Sequence, residues 1–79
     1  MPATAYVLIN CEYGFQEEII DQLKELPELV ELYAVCGSYD IIEVTADTIN
    51  KLKETISLRI RKTDKITSTL TLIAIEGQH

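Results

Sequence analysis

Four residues in the middle of the chain, Gly37-Ser38-Tyr39-Asp40, concentrate the groups most suited to holding a small ligand. A carboxylate such as Asp40 can hold an ammonium group. A glycine such as Gly37 can take φ > 0 and leave backbone N–H groups exposed. Together they can form one wall of a pocket whose few polar contacts orient a small molecule. The same residues also suit a plain turn, because aspartate bonds nearby backbone amides and glycine relieves a tight bend. Both readings stand at this point.

The other reactive side chains carry less. Cys11 and Cys36 fall on strand parities that read as buried, and no histidine is placed to activate either thiol. The single histidine, His79, is the last residue, which rules out Ser/His/Asp chemistry and reads as a solvated terminus. Glu12, Glu31 and Glu43 could each supply a carboxylate, but no spacing pairs them. No catalytic set, cofactor or metal site is therefore expected. Six of the seven Lys and Arg residues lie between Lys51 and Lys65. Without aromatic residues among them there is no platform for stacked bases, and a solvated helix end is the simpler reading. Thr67, Thr69 and Thr71 alternate along one strand, where hydroxyls could bond a polar ligand at an interface between subunits.

These residues need elements to position them. Ala3–Cys11 alternates as a strand, with Ala3, Ala5, Val7, Ile9 and Cys11 on one face. Phe15–Leu26 changes to helical period through Ile19, Ile20, Leu23 and Leu26, and Pro27 stops it. Leu29–Cys36 and Asp40–Ala46 read as strands flanking the Gly37–Asp40 turn. On the second of these, Ile42, Val44 and Ala46 form the more apolar parity. Asp47 is placed to cap a helix over Thr48–Arg61, with Ile49, Leu52, Ile56 and Ile60 on one face. Lys65–Glu76 closes the chain as a strand, with Ile66, Ser68, Leu70, Leu72 and Ala74 opposed to Thr67, Thr69, Thr71, Ile73 and Ile75.

The order βαββαβ predicts a four-stranded antiparallel sheet with two helices on one face, an α+β fold. Assigning each strand's more apolar parity to the helices leaves Tyr6, Leu8, Tyr33, Val35, Ile41, Ile73 and Ile75 on the other face. No further helix covers that surface, so a second copy is expected to pack on it, sheet to sheet. The 79 residues make one domain, and a core this small benefits from oligomerisation. The net charge of −6 disfavours general contact with phosphate backbones. Met1-Pro2-Ala3 lacks the basic start of a signal peptide, and no apolar run is long enough to span a membrane. A cytoplasmic location is the expectation.

In these features the chain resembles the RAM domain, the amino-acid-sensing half of Lrp/AsnC-type (feast/famine) transcription regulators. The resemblance covers nearly the whole chain. It rests on Tyr13-Gly14-Phe15 before the first helix, Leu26-Pro27 and Val30, Gly37-Ser38-Tyr39-Asp40, Asp47, and Thr69-x-Thr71. It implies a ferredoxin-like fold of the dimeric α/β-barrel type of assembly, pairing through sheets into a homodimer and then into rings, often octamers. It also implies an amino-acid effector held between dimers against the hairpin, where Tyr39 and Asp40 would shape the pocket and Thr69 and Thr71 would come from a neighbouring subunit. Full regulators of this type carry an N-terminal helix-turn-helix, whereas Met1 here opens the first strand. The resemblance thus implies a stand-alone RAM module over residues 1–79, with full-length Lrp/AsnC regulators as partners and without direct specific DNA binding. The alternatives are an ACT-like amino-acid regulatory domain and a small dimeric α/β-barrel enzyme. The second needs polar side chains facing the helices, where aliphatic ones are expected.

Overall fold

The computed structural model describes residues 3–74, apart from the side chains of residues 60–62. Six elements follow in order: β1 (Ala3–Cys11), α1 (Gln16–Leu23), β2 (Leu29–Ala34), β3 (Ile41–Asp47), α2 (Ile49–Lys62) and β4 (Ile66–Ala74). The strands form one antiparallel sheet in the order β2-β3-β1-β4. This is the ferredoxin-like α+β fold expected from the element order. The core joins Ile19 and Leu23 of α1 and Leu52 and Ile56 of α2 to Ala5, Val7, Ile9 and Ile41 of the sheet. The expected ends of the last strand (Ile75, Glu76) and of the chain (Gly77–His79) lie outside the described residues, as do the side chains of Ile60, Arg61 and Lys62.

Both helices differ from expectation at their ends. α1 stops at Leu23 rather than Leu26, and the chain tightens into turns in which Leu26 N–H donates to Leu23 O at 3.2 Å. Pro27 explains this, since it disfavours helical geometry at the residue before it. At α2 the cap is Thr48, whose side chain accepts from Lys51 N–H at 3.3 Å. Asp47 sits one residue earlier and accepts from Thr48 N–H at 2.8 Å.

The larger correction concerns which faces of β3 and β4 meet the helices. β1 pairs Ala5 with Thr45, Val7 with Glu43 and Ile9 with Ile41, so these three β3 residues share the helix-facing side. All three are buried, at 0 to 1% exposure. Ile42, Val44 and Ala46, expected there, lie on the opposite face. On β4 the register shifts by one residue between the Cys11–Ile66 and Asn10–Ser68 pairs. That irregularity changes which parity faces the core. Ile66 packs against the core at the start of the strand, and beyond the shift Thr69, Thr71 and Ile73 face the helices. Leu70 and Leu72 turn outward. The expectation that Thr69 and Thr71 lie on the uncovered face, with Ile41 and Ile73, is therefore reversed.

The uncovered face remains apolar with different residues. Cross-strand pairing sets two rows on it, Leu70–Leu8–Ile42–Tyr33 and Leu72–Tyr6–Val44–Glu31. Glu31 at the end of the second row accepts a hydrogen bond from the Tyr33 hydroxyl. Tyr6, Tyr33, Leu70 and Leu72 remain 43 to 53% exposed.

Candidate functional site

Asp40 ties together three pieces of chain. Its backbone N–H donates to Ile9 O at 2.9 Å, and its carbonyl accepts from Val35 N–H at 2.9 Å, closing the loop between β2 and β3. The same carbonyl accepts from the Gln16 side chain, at the start of α1, at 2.6 Å. Its carboxylate Oδ2 accepts from Cys11 N–H at 3.0 Å, at the end of β1. Within the loop, Gly37 has φ +148, a conformation that L side chains rarely adopt.

Beside Asp40 opens a cleft of about 550 Å³, lined by Cys11, Glu12, Tyr13, Gly14, Gln16, Glu17 and Asp40. Its floor is the end of β1 and its far wall is the first turn of α1. No side chain caps that turn. Glu12 on the rim pairs with Lys65 at 3.5 Å, and the Lys65 ammonium lies 4.6 Å from the Phe15 ring centre. Burial, and then the adjacent Asp40 carboxylate, push the Cys11 thiol above its ordinary value. Cys11 is thus held as a thiol rather than a nucleophilic thiolate.

Of the six residues expected to bind ligand, Asp40 lines this cleft. Gly37 and Ser38 are exposed and Tyr39 half-buried in the same loop. Thr69 and Thr71 lie elsewhere in the chain. Thr69 pairs with Ile9 and Thr71 with Val7, so β1 separates both from β3, roughly 10 Å across two strand spacings. Thr69 lines a small internal void under the helices, and Thr71 lines a groove of about 270 Å³ between α2 and β4. Among the described residues, Asp40 and the two threonines line separate cavities.

Sequence reasoning missed a polar cluster under the helices. Arg59 of α2 pairs with Glu43 of β3 and lies 3.6 Å from Glu28, just before β2. The side chains are 16%, 1% and 13% exposed respectively. Burial pushes the Glu43 carboxyl up, the Arg59 guanidinium opposes that and Glu28 adds to it, leaving a net rise. Helical spacing carried the available signal, because Arg59 stands three residues after Ile56 and seven after Leu52, on the buried stripe.

A ferredoxin-like unit with a polar cleft at one end and an uncovered apolar sheet face has the form of a ligand-binding regulatory domain. The chain belongs to the Lrp/AsnC ligand binding domain family, whose profile matches residues 4–77. It is 36% identical over 62 residues to the regulatory protein AsnC of Haemophilus influenzae, covering 77% of this chain and 41% of that protein. It is 25% identical over 79 residues to the HTH-type transcriptional regulator FL11 of Pyrococcus horikoshii, covering 95% of this chain and 44% of that one. The chain thus spans about two-fifths of the length of these regulators. A solved structure, hypothetical protein PHS023 of Pyrococcus horikoshii, superposes with TM-score 0.86 at 38% identity, covering 100% of this chain and 95% of that one. The matched proteins of assigned function are transcription regulators, not enzymes.

Proposed function

We propose that this domain senses an amino acid for Lrp/AsnC-type regulation in the cytoplasm. It pairs with a second copy through its open sheet face, assembles further into a ring such as an octamer, and co-assembles with full-length regulators. The sensing unit is the single RAM-like domain made by residues 1–79, and with a net charge of −6 that domain makes no sequence-specific contact with DNA. The cleft at Asp40 carries the reading. It gathers the carboxylates of Asp40, Glu12 and Glu17 around the uncapped first turn of α1. An α-ammonium suits Asp40, while backbone N–H groups of that turn suit an α-carboxylate. Tyr39, Ser38 and Gly37 extend the wall toward a neighbouring subunit, and Thr69 and Thr71 serve only as contributions from such a neighbour.

Calorimetric titration with each of the twenty amino acids tests this, comparing the wild type with Asp40→Asn and Asp40→Ala. Asparagine keeps an oxygen for Cys11 N–H but removes the charge. Loss of a charge-assisted bond worth about 1.5–3 kcal/mol should weaken binding roughly ten- to hundredfold in Asp40→Asn while the fold survives. Unchanged affinity in Asp40→Asn, with lower stability in Asp40→Ala, would make Asp40 a turn residue only. No binding by any amino acid would remove the sensor reading.

A further inference from the structure

The cluster under α2 contains two carboxylates and one guanidinium. Arg59 can neutralise only one of them, so the set carries one negative charge too many for its surroundings. Among the described residues those surroundings supply no relief. Glu43 sits between Val7 of β1 and Leu32 of β2 on the helix-facing side. The void beside it is lined by Val7, Ile9, Leu23, Ile56, Ile66 and Thr69 as well as Glu43 and Arg59. Among the described residues, the titratable and charged groups facing Glu43 are thus Arg59 from α2 and Glu28 from the α1–β2 connection, with none from α1, β1 or β4.

The hydrogen bonding within the set is incomplete in a directed way. Arg59 Nη1 bonds Glu43 Oε1, while Arg59 Nη2 and Glu28 Oε1 are 3.6 Å apart, both buried and both without a hydrogen-bond partner among the described residues. The Thr45 hydroxyl, two residues along the same face of β3, is also buried and unpartnered. The donor and acceptor of a second pairing therefore already face each other just beyond bonding distance. A proton on Glu43 would cancel the surplus charge, free Arg59 to close on Glu28, and supply a donor among acceptors that lack one.

We propose that Glu28, Arg59 and Glu43 form a proton-operated exchange site, in which uptake of one proton from solvent by Glu43 transfers the charge pairing of Arg59 from Glu43 to Glu28. The proton binds a carboxylate oxygen of Glu43, Arg59 keeps its charge throughout, and no other bond is made or broken. The exchange moves the fastening of α2 from the middle of the sheet to the connection between α1 and β2. Glu28 is well placed to pass on the change, because its carbonyl accepts from Ala46 N–H at 3.0 Å and so links β2 to β3.

The test is an NMR pH titration of the full chain that follows the Glu43 side-chain carboxyl carbon and the Arg59 Nε–H together. Glu43 is expected to titrate above the ordinary glutamate range, and the Arg59 signal to shift with the same midpoint. Glu28→Gln removes the second charge and the ionic partner. It should lower the Glu43 midpoint and abolish most of the Arg59 shift. An Arg59 signal that does not change as Glu43 titrates would overturn the exchange, and so would a Glu43 midpoint at or below the ordinary range. Glu43→Gln is the control, expected to leave Arg59 insensitive to pH in that interval. If that variant does not fold, the wild-type and Glu28→Gln titrations decide alone.

Discussion

Truncating Leu72 to alanine should weaken self-association without unfolding the domain. Leu72 is 53% exposed in the single chain and stands in the row Leu72–Tyr6–Val44–Glu31 of the open face. Fully burying a leucine gains about 1.5–3 kcal/mol, so roughly 1 kcal/mol remains to be gained when a partner covers the exposed half. A two-fold interface contains the substitution twice, giving a loss of about 2 kcal/mol. The dimer dissociation constant should therefore rise roughly 30-fold. Leu58 of α2 is the matched control, at 48% exposure and away from the sheet face. Leu58→Ala should leave that constant within about twofold. Sedimentation equilibrium over a wide concentration range measures both variants. Three outcomes would refute the reasoning: a wild type that is monomeric at micromolar concentration, a Leu72→Ala constant equal to wild type, or equal weakening in both variants.

Three more outcomes are open to measurement. Gly37→Ala should cost about 1–3 kcal/mol in urea denaturation, because φ +148 is unfavourable for an L side chain while its Cβ would meet no atom within 4 Å; no loss would mean that the loop relaxes freely. Glu43 has a folded-state pKa above its unfolded value, so its contribution to stability is full below the ordinary glutamate range and declines as pH rises through the folded value. Glu43→Gln should flatten that decline above the ordinary glutamate range in paired denaturation curves, and an unchanged slope would assign it to another group. Duplex DNA should show no sequence-dependent retention near physiological salt in gel-shift titrations, given the net charge of −6; weak binding through the Lys51–Lys65 cluster would fall with a log–log salt slope of about −0.9 per phosphate.

The sequence discloses this fold well because its periods change cleanly. Alternation in Ala3–Cys11 gives way to the Ile19, Leu23 stripe, and Pro27 marks where the helix must stop. The hairpin was legible from Gly37 and Asp40, and Asp40 does meet the cleft. Strand faces were less legible. On β3 both parities are apolar enough to be buried, and counting hydrophobic residues favours Ile42, Val44 and Ala46. The structure instead buries Ile41, Glu43 and Thr45, and Arg59, sixteen residues later, pairs with Glu43 from α2. Alternation within a strand cannot disclose a partner on another element. On β4 the register shift near Cys11 and Ile66 leaves no mark in the sequence, yet it decides where every later side chain points.

These two reversals bear on the assembly. A domain that needed only to bury its own leucines could turn Leu70 and Leu72 under the helices and leave Thr69, Thr71 and Glu43 in water. This chain does the opposite. It buries a carboxylate that needs an arginine and leaves half-exposed leucines beside Tyr6 and Tyr33. In an isolated monomer that arrangement spends desolvation free energy inside and forgoes hydrophobic gain outside. It becomes favourable once the outer face is covered, because Leu72, Tyr6 and Val44 then join a second apolar layer and the sheet is buried on both sides. The inward Glu43 and the outward Leu72 belong to one arrangement, set by the pairing of β3 and of β4 with β1. Its cost falls on the single chain and its gain would fall on a sheet-to-sheet pair, and for that reason Leu72→Ala should register in the dimer constant more than in the stability of the monomer.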